Sequence, residues 1–188
     1  MASAKLTELD LIWFQQQEIP VVVLERAESM EELRQNYLDL ALALMGRTAG
    51  ANHGEGYWEE LEGMLEEGAG AVVSTGEAPR AILLRQMGYG MATGDTFEDL
   101  LLTRLGFIND AENYTGWLYD RADVADLEPD VIFADSSITV DEVKGSVIYQ
   151  PVAAVKNNKV MNVDFTVFER QSPRMFETLR EMGRFAGE

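Results

Sequence analysis

Three glycines, Gly88, Gly90 and Gly94, stand between an apolar run and the start of a helical stripe, where backbone amides and a helix N-terminus can cradle a phosphate. Their spacing, G-x-G-x-x-x-G, is one residue longer than a dinucleotide fingerprint, and no acidic strand-end residue follows at the distance a ribose needs. A strand-to-helix loop is the plainer reading; a nucleotide-dependent enzyme is the reading it competes with. Tyr89 sits inside that loop, at the end of a strand where open α/β sheets meet their ligands, although packing on its own loop would suit it as well. Arg170 and Arg174 bracket the start of the last helix in the stretch FERQSPR. A cation in a first helical turn opposes the helix dipole, so these guanidiniums fit either a bound anion or the neighbouring acids Glu169 and Glu177. Phe165 and Phe168 precede them, and Trp117 and Tyr119 stand on an earlier connection. Aromatic side chains on loops suit a flat, partly apolar ligand, and suit a core or hinge equally.

Other chemistries find little to work with. The 188 residues hold no cysteine and a single histidine, His53, which removes disulfides, thiolate nucleophiles and a multi-histidine metal centre. His53, between Asn52 and Gly54, reads as an exposed loop residue. Glu59, Glu60, Glu62, Glu66 and Glu67 fall on the outer face of an amphipathic stripe, a solvated face and not a pair of catalytic carboxylates. No nucleophile elbow or P-loop occurs. No metal and no cofactor is expected, and binding is favoured over catalysis. With 15 Lys and Arg against 33 Asp and Glu, the formal charge of −18 repels nucleic acid and anionic lipid. No apolar run reaches the length of a membrane span, and MASAKLTELD carries no signal-peptide pattern.

These residues must be positioned by the elements around them. Leu6, Leu9 and Trp13 recur at helical spacing, and Pro20 introduces the run 21–24 (VVVL), short and β-branched enough for a buried strand. Ser29 with Glu32 forms a capping box ahead of a stripe from Met30 to Leu44 that ends before Gly46. TAGANHG reads as a loop. Tyr57, Trp58, Leu61, Met64 and Leu65 make a third stripe, which the patch GAGA at 68–71 ends as a flexible turn. Residues 81–84 read as a strand, Thr96 as the N-cap of a helix, 131–134 as a strand, about 140–149 as a helix and 159–163 as a strand. Ser172 and Pro173 open the last helix. Strands alternating with helices give an α/β fold with a mostly parallel sheet covered on both faces, and the length suits one core plus a small appendage.

In order and spacing, IPVVVL, GYGMATGDTFEDLL, PDVIFAD, PVAAVKNNKVMNVD and FERQSPR together resemble the C-terminal lobe of a substrate-binding protein of an ABC importer. The resemblance is to the iron-siderophore, haem and vitamin B12 class, and it covers about residues 18–187. It implies a three-layer αβα Rossmann-like lobe over 71–188. Before that lobe come an interlobe backbone helix region over 29–70 and, over 1–28, a helix-plus-strand remnant of the N-terminal lobe. It further implies an extracytoplasmic protein that captures an iron-siderophore, haem or corrinoid and docks on an ABC permease. Tyr89, Trp117, Phe168 and Arg170 would face the cleft between lobes. The permease-docking acids fall at Asp120 and Asp123, with Ala122 where the family carries Glu. The chain resembles one half of a clamp, so a half-protein that homodimerises through its exposed former interlobe surface is the competing class.

Overall fold

The computed structural model describes residues 6–73, 76–86, 90–117 and 126–188. Helix α1 (Glu8–Gln16) opens it, closed at its N-terminus by a capping box in which Thr7 and Asp10 exchange side-chain and backbone bonds. In α2 (Met30–Met45) Ser29 accepts from the Glu32 amide, while the Glu32 carboxylate reaches one residue beyond the cap, to the amide of Glu28. The next helix, α3 (Arg47–Val73), runs through both TAGANHG and GAGA.

Neither glycine-rich stretch is a loop, and the reason is close packing between helices. A Cβ on Gly50 would stand 2.6 Å from the Ala41 carbonyl oxygen of α2. One on Gly68 would stand 3.0 Å from the Arg180 Cα of the last helix, and one on Gly183 would collide with the Gly68 carbonyl. The glycines let backbones approach; their conformational freedom is not what is used. His53 is consequently an exposed helical residue.

The sheet comprises β1 (Arg80–Gln86), β2 (Gly90–Met91), β3 (Ile108–Asn109), β4 (Val131–Asp135) and β5 (Val160–Val163). Its order is β2-β1-β4-β5, with β3 beside the N-terminal end of β1. All pairings are parallel except β1 with β2, where Leu84 faces Met91. Between β1 and the helix expected to follow it directly there is therefore a further, antiparallel strand, and β2 then leads to α4 (Phe97–Arg104), whose cap is Thr96 as expected. Between β4 and β5 lie α5 (Val140–Gly145) and α6 (Ala153–Lys156), so the expected helix stops at Gly145, short of 149. After β5 come α7 (Thr166–Glu169) and α8 (Pro173–Gly187).

Alternation along the strands divides two cores. Ala81, Leu83, Val131, Phe133 and Val163 face α3, α4 and α8, where Trp58, Leu61, Phe176 and Leu179 complete the larger cluster. Ile82, Leu84, Ile132, Ala134 and Val160 face the other layer, with Ile138, Val143, Tyr149 and Ala154. The result is the three-layer αβα arrangement with a mostly parallel sheet. The strand expected at 21–24 is not formed. The run is extended, but among the described residues no strand lies beside it, and Val22, Val23 and Leu24 stand in solvent.

Candidate ligand-binding edge

Because β1, β4 and β5 run parallel, their carboxyl ends share one edge, the end of an open α/β sheet where ligands bind. That edge carries Arg85 from β1, Asp135 from β4, and Asp164 and Phe165 immediately after β5. Asp135 ties the edge together: its carboxylate accepts from the Ser137 amide at 2.9 Å and from the Phe165 amide at 3.2 Å.

Trp117 reaches the same edge in a left-handed backbone conformation (φ 63°). A β-branched or bulky residue seldom adopts this, and here neighbours impose it. The Gly116 amide donates to both Asp95 carboxylate oxygens at 3.0 Å, the Trp117 amide to the Thr93 hydroxyl at 3.2 Å, and that hydroxyl to Asp95 at 2.7 Å. The hydrogen bonds from the Thr93 side chain and then the Gly116 amide hold the Asp95 carboxyl below its ordinary range. So fixed, the half-buried indole meets Phe165 edge-on at 6.0 Å, and Phe165 meets Phe168 at 5.6 Å. The Arg85 guanidinium lies 5.6 Å over the indole and also pairs with Glu169.

Of the residues expected to face a ligand, Trp117 and Arg170 lie on this edge. Arg170 is exposed at the C-terminus of α7, and no described carboxylate comes within ion-pair distance of it. Phe168 is a correction: its side chain is wholly buried, so it supports Phe165 from within and presents nothing outward. Glu169, expected as a partner for Arg170, pairs with Arg85 instead. Tyr89, Asp120 and Asp123 lie outside the described residues. Sequence reasoning passed over Arg85, whose only signal is a charge placed directly after four buried apolar strand residues.

Asp164 sets the potential beside Arg170. Hydrogen bonds from the Thr166 hydroxyl and amide hold its carboxyl below the usual range, with smaller help from the charges of Arg170 and Arg174. On the other side of Trp117 an open groove of about 720 Å³ runs past Arg26 and the first turn of α4. Its wall is braced by the Arg26–Glu98 ion pair at 2.7 Å, in which Glu98 is buried.

A third device fixes the edge relative to the N-terminal half. The Gln171 side chain, on a left-handed backbone (φ 47°), accepts from the Ala27 amide at 2.8 Å and donates to the Ala27 carbonyl at 2.7 Å. Its own carbonyl accepts from the Tyr37 hydroxyl at 2.9 Å, and burial pushes that phenol well above its ordinary pKa.

The fold is shared with solved periplasmic solute-binding proteins. No protein-family model matches the sequence, and no curated protein does. Among solved structures, a possible iron-binding (periplasmic solute-binding) protein from Staphylococcus epidermidis superimposes with a TM-score of 0.74 at 18% identity, over 94% of this chain and 70% of that one. The periplasmic haem-binding protein BhuT, in complex with two haems, gives 0.75 at 17%, over 96% and 71%. The periplasmic vitamin B12-binding protein BtuF of Vibrio cholerae gives 0.69 at 13%, over 96% and 69%. At these identities the likeness is one of fold, and on that level the resemblance read from the sequence holds. These neighbours are binding proteins, and they are periplasmic. No described helix of this chain is long and apolar enough to cross a membrane.

Proposed function

We propose that this chain is the ligand-capture lobe of an ABC importer's substrate-binding protein, working outside the cytoplasm on an iron-siderophore, haem or corrinoid. It makes and breaks no bond. The observation that carries this reading is the exposed Arg170 guanidinium, with no described carboxylate at ion-pair distance, on the same strand-end edge as a locked, half-buried indole. A flat ligand with an anionic group needs both an aromatic surface to lie on and an accessible cation. The three named neighbours, a possible iron-binding protein, a haem-binding protein and a vitamin B12-binding protein, support the ligand class.

Residues 1–28 then represent the N-terminal lobe, 29–70 the interlobe helices and 71–188 the C-terminal lobe, with Asp120 and Asp123, outside the described residues, as the docking acids for the permease. A single edge covers one side of a ligand, whereas good sites bury roughly 70–90% of one. Binding by this chain alone is accordingly weak. Absorbance titration with haem, cobalamin and a ferric catecholate tests the reading. One of the three is expected to bind saturably, weaker than micromolar, and Arg170→Ala to lower that affinity about fivefold, the loss of one charge-assisted contact. Saturable binding of none of them, or affinity indifferent to both Arg170→Ala and Trp117→Ala, refutes the assignment.

A further inference from the structure

Arg85 and Glu169 meet at the carboxyl end of the sheet, beside the Trp117 indole. Arg85 follows the buried Leu84 near the end of β1, and Glu169 closes α7, which the buried Phe168 anchors to the core. Their side chains are 50% and 42% exposed, so water competes for both ends of the pair and holds its strength low. The contact is also one-sided. Among the described residues the guanidinium donates only through Nη2, to Oε1 of Glu169, and lacks the two parallel bonds that make an arginine–carboxylate pair strong.

The other contact of Arg85 is different in kind. Its guanidinium carbon lies 5.6 Å from the centre of the Trp117 ring, and the backbone amides of Gly116 and Trp117 are tied to Asp95 and Thr93. A guanidinium attracted by a ring face spends none of its N–H donors on it. The indole therefore fixes where the cation sits and leaves its donors open, so one carboxylate can replace another while Arg85 stays in place. Next along the chain from Glu169, Arg170 has no described carboxylate at ion-pair distance.

We propose, resting on the capture function, that Glu169 is an internal competitor for the ligand: it occupies Arg85 in the empty site, and an anionic group of the ligand displaces it. Arg85 is the residue that touches the ligand, and Glu169 acts through it. A neutral ligand gains nothing by breaking the pair. A carboxylate or catecholate exchanges a one-sided bond for a two-sided one, in a place from which the ligand itself excludes water and so strengthens the attraction.

Glu169 thereby sets specificity and lowers affinity. With Arg170 holding a second anionic group, the edge selects ligands that bear at least two. Haem, with its pair of carboxylates, and a ferric catecholate, with several anionic oxygens, meet that condition. Cobalamin, whose rim is carboxamide, does not.

Absorbance titration of the native chain, Arg85→Ala, Glu169→Gln, Glu169→Asp and the Arg85→Ala/Glu169→Gln double variant with haem, cobalamin and a ferric catecholate tests this. Haem or the ferric catecholate is expected to bind, and cobalamin not. Arg85→Ala should weaken that binding at least about threefold, and Glu169→Gln should tighten it about threefold to fivefold, the weight of an exposed ion pair removed from the empty site. Glu169→Asp keeps the charge but falls one methylene short of the guanidinium, and should tighten binding as well. Loss of a negative charge near an anion tightens binding by itself, so the comparison that decides is between backgrounds: the gain from Glu169→Gln is expected to be larger with Arg85 present than in Arg85→Ala. A pair that stays intact on binding gives the reverse order, because an unpaired Glu169 repels an anion more than a paired one. Binding of no probe by any of these chains overturns the capture function itself. Binding of haem or the ferric catecholate with no gain from Glu169→Gln, or with a gain as large in Arg85→Ala, overturns the competitor role alone, as does preferred binding of cobalamin.

Discussion

The Gln171 carboxamide lies against the backbone of Ala27, 144 residues earlier in the chain, and satisfies both its amide and its carbonyl as a neighbouring strand would. One side chain thereby closes the interior where the N-terminal segment meets the turn into α8, and the Tyr37 hydroxyl on the Gln171 carbonyl closes it from α2.

Gln171→Leu keeps the bulk and strands two buried backbone groups. Each unmet group costs about 1–3 kcal/mol, so urea unfolding should show a loss of about 2–6 kcal/mol. Gln171→Glu retains the acceptor for the Ala27 amide but sets a carboxylate against the Ala27 carbonyl. Its loss should therefore grow as pH rises through the carboxyl range, a trend that Gln171→Leu lacks.

The helical patch GAGA separates two roles of glycine within three residues. At Gly70 a Cβ meets no atom within 4 Å, whereas at Gly68 it stands 2.9 Å from Leu105 and 3.0 Å from the α8 backbone. Gly70→Ala should stabilise by about 0.5–1 kcal/mol through helix propensity. Gly68→Ala should destabilise by about 1–3 kcal/mol as α3 and α8 are pushed apart. Thermal melts of the two variants are expected to move in opposite directions.

Removing either partner of the Arg26–Glu98 pair is unequal in cost. Arg26 is half exposed and can turn to water, while Glu98 is 2% exposed and cannot. Arg26→Ala, which leaves a buried charge alone, should cost about 3–5 kcal/mol, and Glu98→Gln markedly less. Equal losses in denaturant titrations would show that Glu98 relaxes to solvent when released.

Acid should weaken the ligand edge. Asp95 and Asp164 have folded-state pKa values below their unfolded ones. Their contribution is complete above the ordinary carboxylate pKa and disappears as pH falls through the lowered, folded value. Carbon-13 titration of the carboxyls should find Asp164 below the normal range. Thr166→Val should raise it most, because the Thr166 hydroxyl is its largest stabiliser, and Arg170→Ala should raise it less.

How much of this was written in the sequence depends on the range of the forces involved. Strands β1, β4 and β5, the caps Ser29 and Thr96, and the opening of α8 at Pro173 were legible because each is set by residues within one or two turns: apolar runs, a hydroxyl three residues before its amide, a fixed proline φ. The αβα layering followed from their alternation. Gly50 and Gly68 read as loop residues because a glycine's neighbour, here Ala41 or Arg180, is invisible until helices are packed. Phe168 read as ligand-facing because nothing local says which side of a short helical turn faces the core.

By itself, then, the sequence determined most of the elements and the sheet's mostly parallel direction, and set Trp117 and Arg170 on connections between elements. Tertiary structure alone decided that Glu169 pairs with Arg85 and not with Arg170, that Gln171 grips Ala27, and that residues 21–24 find no strand among the described residues. Those outcomes rest on charges and hydrogen bonds between residues far apart in the chain, whose partners are chosen by packing and not by spacing.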